Sequence, residues 1–217
     1  MTEDKDTLIC DKGDMILSSY LLDNIKTYKL AFSLNNIDGS KINLPNLLSH
    51  NSYELLDKIN PDLIEKIIIL KIYNEDMADV LIILKHIAKE IGLKQKFILF
   101  NAKRKIDTER NIVSFVNKDI CLIDEKLAQE YLDYVNIDKN KYEAIIYNFG
   151  TVEIRLINVN LIGLISGKNP NKNIDVNFET CFQLILKDEL PIYMENIIGL
   201  MIKKMFYNLK TFIEKLV

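Results

Sequence analysis

The stretch KIIILKIYNEDMADVLIILKHIAKEIGLKQKFILF, residues 66–100, decides how the rest of the chain is read. Its opening run, residues 66–73, is β-branched and suits a strand buried on both faces. Asn74 is placed to cap a helix that continues through Ile91, with apolar residues at Met77, Val80, Leu81, Leu84, Ile87, Ala88 and Ile91. Gly92 then stands where a helix takes a left-handed exit. Glu75, Asp76 and Asp79 would crowd the first turn, where negative charge is favoured. A second strand follows at residues 96–100. Strand, helix and strand with short connections predict a β-α-β unit with a right-handed crossover between parallel neighbours. The unbroken apolar run from Val80 to Leu84 implies that this segment is covered on more than one side.

Working outward, residues 28–34 (YKLAFSL) alternate and favour a strand. Asp38-Gly39 in NIDGS reads as a hairpin turn before KINL, which Pro45 ends. Asn51 with Glu54 makes a capping-box-like start for a short helix, SYELLDKI. Residues 101–110, NAKRKIDTER, form the one polar stretch long enough to divide the chain. The expected organisation is a single globular domain over 1–217, with two lobes, 1–101 and 111–217, joined by a polar loop at 102–110 as the variant. Beyond that loop, two hairpins are expected, one about Asn117-Lys118 and one about Phe149-Gly150. A helix capped by Asp124 separates them. A long strand at 174–186 leads to a helix from Pro191 nearly to Val217, whose apolar seam includes Met194, Met201, Met205, Leu209 and Phe212. The fold class expected is therefore α+β (mixed α/β). It has one β-α-β unit near 66–100, a mostly antiparallel sheet in the second half, and a long C-terminal amphipathic helix packed on that sheet.

Apolar residues make up 48% of the 217 and charged residues 27%, with mean hydropathy +0.02. That is enough to bury a core and excludes a disordered chain. With 28 basic against 31 acidic residues the net charge is −3, which argues against a nucleic-acid partner. The 34 Ile and 25 Lys, beside three Arg and no Trp, fit the codon bias of an AT-rich genome better than any chemistry. The start, MTEDKDTLIC, carries no secretory pattern. The longest charge-free apolar run, residues 156–167, is well short of the about 20 residues a membrane span requires. Cys10, Cys121 and Cys181 read as free thiols in a reducing compartment, so a cytoplasmic protein is expected.

Chemistry-bearing patterns are scarce. His50 and His86 are the only imidazoles, and no zinc or EF-hand spacing is present. GLISGKN, residues 163–169, falls one residue short of a phosphate-binding loop and reads as a turn. No catalytic residue, metal ligand or cofactor is expected. Lys103, Arg104 and Lys105, with Arg110 nearby, form the one concentration of positive charge. They are candidates for an anion or partner contact, against the plainer reading of a solvated loop. Met194, Met201 and Met205 are candidates for an adaptable apolar surface, against a core stripe. The leading functional expectation is a non-catalytic intracellular interaction, assembly or adaptor subunit acting by surface complementarity. Its partner would be another protein or a second copy of the chain. The alternative is a hydrophobic-ligand binding protein, and an enzyme without a recognisable motif ranks third.

That alternative has a family behind it. About the final 75 residues, several antiparallel strands ending in a long amphipathic helix, resemble the helix-grip arrangement of START-type and plant-allergen-type lipid-binding domains. In those domains the last helix closes a curved sheet over an apolar cavity. The resemblance implies an apolar, lipid-like ligand. Residues 66–100, read as a parallel unit, lie outside it.

Overall fold

Strands, not a helix, occupy the middle of the chain. A computed structural model describes residues 7–12, 14–86, 92–165, 173–185 and 192–216. The elements in order are β1 (Thr7–Lys12), β2 (Met15–Leu22), β3 (Ile25–Ile37), α1 (Leu44–Leu47), α2 (Ser52–Ile59), β4 (Ile64–Asn74), β5 (Met77–Leu84) and β6 (Gln95–Asp107). Then come β7 (Ile112–Asp119), α3 (Ile120–Ile123), α4 (Glu125–Tyr134), β8 (Tyr142–Ala144), β9 (Ile146–Ile157), α5 (Leu161–Ile165), β10 (Ile174–Ile185) and α6 (Ile192–Leu216). One sheet holds every strand among the described residues, in the order β1-β2-β3-β10-β9-β7-β6-β5-β4, with β8 beside the first residues of β6. Neighbours along that path are antiparallel. The short β6–β8 pairing is the one parallel ladder among the described residues.

The β-α-β expectation is corrected here. Met77–Leu84 is a strand, and β4 and β5 form an antiparallel hairpin about Glu75-Asp76, with Ile69 opposite Val80 and Ile68 opposite Leu81. Ile87, Ala88 and Ile91 lie outside the described residues. The spacing that suggested a helix arose because both faces of β5 are buried, which removes the alternation that marks a strand. Val80, Ile82 and Leu84 pack inward with Ile98 and Phe100. Leu81 and Ile83 pack outward against Ile120, Ala128 and Leu132 of the α3–α4 pair. Cover on more than one side was the right inference, made for the wrong element.

Asp79, read as a helix-end charge, is 1% exposed. Its carboxylate accepts from the Tyr73 hydroxyl (2.8 Å), the Tyr131 hydroxyl (2.6 Å) and Asn101 Nδ2 (2.7 Å). Buried acceptors are held this way, with every donor accounted for inside the fold.

Both later hairpins are also corrected. Asn117-Lys118 lies inside the continuous β7, and Phe149-Gly150 inside the continuous β9. Asp38-Gly39 turns the chain toward α1, whose Asn43 cap accepts from the Asn46 amide, with Pro45 in the first turn. Of the polar stretch 102–110, residues 102–107 extend β6 and pair with β7. Elements with strong local signals appear where expected: β3, α2, β10, α6, and α4 with Asp124 Oδ1 receiving the Leu127 amide at 2.9 Å.

Helix α6 lies across the inner face of the sheet. Ile202, Phe206, Phe212 and Ile213 pack with the β3–β10 side, and Met201 and Met205 with the β4–β6 side. Gly199 lets the helix approach β3 closely, because a Cβ there would stand 2.8 Å from Cε1 of Tyr28.

Candidate functional site: the cavity under the last helix

Between the sheet and α6 lies an apolar cavity of about 120 Å³. Phe100, Phe115, Val152, Ile154, Phe178 and Phe182 line it from the sheet, Tyr53 and Leu56 from α2, and Ile202, Met205, Phe206 and Leu209 from α6. A second cavity of about 70 Å³ lies toward α1 and shares Leu47, Ser52, Ile154, Phe178 and Leu209 with the first. Every side chain lining either cavity is uncharged.

Strand alternation delivers most of this wall. Along β10, Val176, Phe178, Thr180 and Phe182 face in; along β9, Gly150, Val152, Ile154 and Leu156 do the same. Tyr147 would point outward by that count. The β9–β10 register shifts between Gln183 and Leu184, leaving Asn148 as an extra residue on β9, and this bulge brings Tyr147 to the inner face. The Tyr147 amide is taken up by Asp119 Oδ2 at 2.7 Å. The Tyr147 ring lies over Gly150, where any Cβ would overlap it.

The cavity's polar groups are few. Thr180 donates its hydroxyl to the Thr151 carbonyl (2.7 Å) and Ser52 to the Ser49 carbonyl (2.8 Å). Asn117 is 6% exposed, and its Oδ1 has no hydrogen-bond partner. Burial pushes the Tyr147 hydroxyl up to about 12, with a hydrogen bond from Asn117 pulling the other way. Burial raises Tyr53 further still, helped by its neighbour Tyr147. Rings of Tyr53, Phe100 and Tyr147 follow one another at centroid separations of 5.9 and 5.7 Å. Behind them His50 stacks on Tyr53 and meets the edge of Phe115, with both ring nitrogens unpaired. Burial and then Arg104 hold its pKa below the ordinary 6.5, against an opposing pull from Asp76.

The basic cluster is not assembled. Lys103 and Lys105 are exposed on one face of β6, and alternation turns Arg104 to the other. There Arg104 Nε meets Asp76 Oδ1 at 2.8 Å and Nη1 donates to the Leu48 carbonyl at 3.1 Å. Arg110 sits in the following turn, 3.8 Å from Asp107. Met201 and Met205 face the sheet, and Met205 lines the cavity. The Met194 side chain lies outside the described residues. Of GLISGKN, residues 163–165 end α5 and the remainder is outside the described residues. Among the described residues no group of His, Cys, Asp and Glu is placed to hold a metal, and no helix is long and apolar enough to cross a membrane. Sequence reading missed Asn117, Tyr147 and Gly150. The signal it had was polar residues and a glycine interrupting apolar strands, taken as turns.

An antiparallel sheet with one long C-terminal helix packed across it over an apolar cavity resembles the START-type, helix-grip fold. Comparison with solved structures agrees over nearly the whole chain. The human StAR-related lipid transfer protein 5 superposes with a TM-score of 0.69 at 9% identity, covering 99% of this chain and 88% of that one. Human STARD10 gives 0.63 at 8% identity, covering 97% and 73%. A STAR-related lipid transfer protein fragment from Xanthomonas axonopodis gives 0.57 at 11%, covering 98% and 99%. Such identities establish a shared fold alone. No protein-family model and no curated protein matches the sequence.

These likenesses overturn the adaptor expectation, since two of these neighbours are named as lipid transfer proteins. They also widen the resemblance from the final 75 or so residues to the full sheet, residues 66–100 included.

Proposed function

We propose that the chain, acting as one domain, binds an apolar, lipid-like molecule between the sheet and α6. The observation that carries this is the uncharged cavity between the sheet and α6, at the place where a helix-grip fold closes on itself. Proteins of similar fold named for lipid transfer support the same reading. An apolar ligand gains by leaving water, and uncharged walls cost it nothing in desolvation.

Ligand sites commonly need about 300–1,000 Å³, and these two cavities are smaller. A lipid chain is therefore admitted by outward movement of α6. Met201 and Met205, with unbranched and polarisable side chains, suit a wall that repacks around its guest. Polar ties of α6 to the rest of the fold include Asn208 to Asn60 (2.8 Å) and Lys203 to Cys10 (2.8 Å). The remainder of that interface is chiefly apolar and can slide. Three half-buried cysteines, none of them in a disulfide, suit a reducing, cytoplasmic setting.

Native mass spectrometry of the purified protein, with analysis of its organic extract, tests the proposal. A stoichiometric lipid-like adduct is the expected result, as is uptake of an uncharged fluorescent lipid probe, a labelled fatty alcohol, by the stripped protein. Met205→Trp, which fills the cavity from α6, is expected to reduce that uptake at least several-fold. A protein that carries no adduct and takes up no probe would overturn the reading.

A further inference from the structure

We infer that the ligand is uncharged and carries a hydrogen-bond donor, a hydroxyl or an amide N–H, which meets Asn117 Oδ1. This rests on the ligand-binding reading above and adds the chemistry of one end of the guest. Asn117 belongs to the interior of β7, where a β-branched apolar residue would suit both strand and burial. Its carbonyl oxygen is instead buried without a partner, which costs free energy for as long as nothing donates to it.

The fold leaves that oxygen open for a clear reason. The residues paired with Asn117 are Ala102 on β6 and Gly150 on β9, and neither has a side chain able to donate. The hydroxyls of Thr180 and Ser52 are committed to backbone carbonyls. Asn117 lines the cavity, and its Oδ1 is the buried side-chain atom of that lining that has no partner. A ligand presenting only acceptors would set oxygen against oxygen. A charged head would enter walls with no counter-charge, at a large desolvation cost.

Single-ring probes test this: an apolar cavity of about 150 Å³ accommodates benzene, and this one, about 120 Å³, shares part of its lining with a second of about 70 Å³. Phenol and toluene have nearly the same shape and differ in the donor. Their affinities for the wild-type protein, Asn117→Leu and Asn117→Val are measured by calorimetry. Loss of the acceptor is expected to lower the phenol-to-toluene affinity ratio about tenfold, the effect of one hydrogen bond. A ratio that does not change overturns the inference while toluene binding leaves the ligand-binding reading standing. If neither ring binds, this inference falls, while the ligand-binding reading is decided by the adduct and probe uptake described above. Should the variants not fold, the wild-type protein decides by NMR. The Asn117 side-chain amide resonances should shift with phenol and not with toluene, and equal responses would overturn the inference.

Discussion

Asn117 on β7 and Gly150 on β9 stand directly opposite each other in the antiparallel ladder, with Phe182 on β10 next in line. The missing side chain at Gly150 makes room for the Tyr147 ring, which the bulge at Asn148 has brought inward. A buried amide, an absent Cβ and a displaced ring are thus one arrangement, and together they shape the polar part of an otherwise apolar cavity.

Gly150→Ala should therefore destabilise the protein by about 1–3 kcal/mol through overpacking against Tyr147. Urea unfolding checks the magnitude. In a Tyr147→Ala background the same change should cost much less, because the two residues are in contact and their effects do not add.

Asn208 on α6 donates to Asn60, which is fully buried at the end of α2 and itself donates to the Leu56 carbonyl. Asn208→Ala leaves Asn60 Oδ1 without its donor and should cost about 1–3 kcal/mol in the same measurement. Uptake of a fluorescent probe, followed by stopped flow, should become faster as α6 loses a tie.

Replacing glycine by alanine inside a helix ordinarily gains about 1 kcal/mol. At Gly199 that gain should vanish or reverse, because the new methyl meets the Tyr28 ring, which is stacked on Phe182 at 5.3 Å and cannot retreat. Thermal unfolding of Gly199→Ala should show no rise in Tm. The rise should return when Tyr28→Leu is added.

His50 supplies a pH dependence with a definite sign. Its folded-state pKa lies below 6.5, and Tyr53, Phe115, Arg104 and Asp76 surround it. As pH falls below about 6.5, the unfolded chain takes up a proton that the folded chain does not. Stability is lost progressively until the lower folded pKa is passed, and above pH 7 the group contributes no slope. Urea midpoints between pH 7.5 and 5 should fall less steeply for His50→Leu than for the wild type.

Legibility along the chain followed the range of the forces involved. Asp124 and the segment after it announced α4 because a cap and its helix are neighbours in sequence. The strand β10 and the long helix α6 were equally plain, since alternation and a helical seam are each written into one segment. Val80 to Leu84 was not legible. An apolar run with both faces covered has no period of its own, and α3–α4 on one side and the core beneath α6 on the other supply that cover from distant parts of the chain. Asn117-Lys118 and Phe149-Gly150 misled for a related reason: polar residues and glycine mark turns when only local chemistry is considered.

By itself, then, the sequence determined an α+β chain with an ample core, a helix closing its C-terminal region and no recognisable catalytic motif, because propensity, capping and composition act over a few residues. Only the tertiary structure decided that the middle is an antiparallel hairpin, that Lys103 and Arg104 face opposite ways, and that Asn117, Tyr147 and Gly150 meet at a cavity. Those outcomes depend on strand register and on which surfaces cover one another, and both are settled by contacts between residues far apart in the chain.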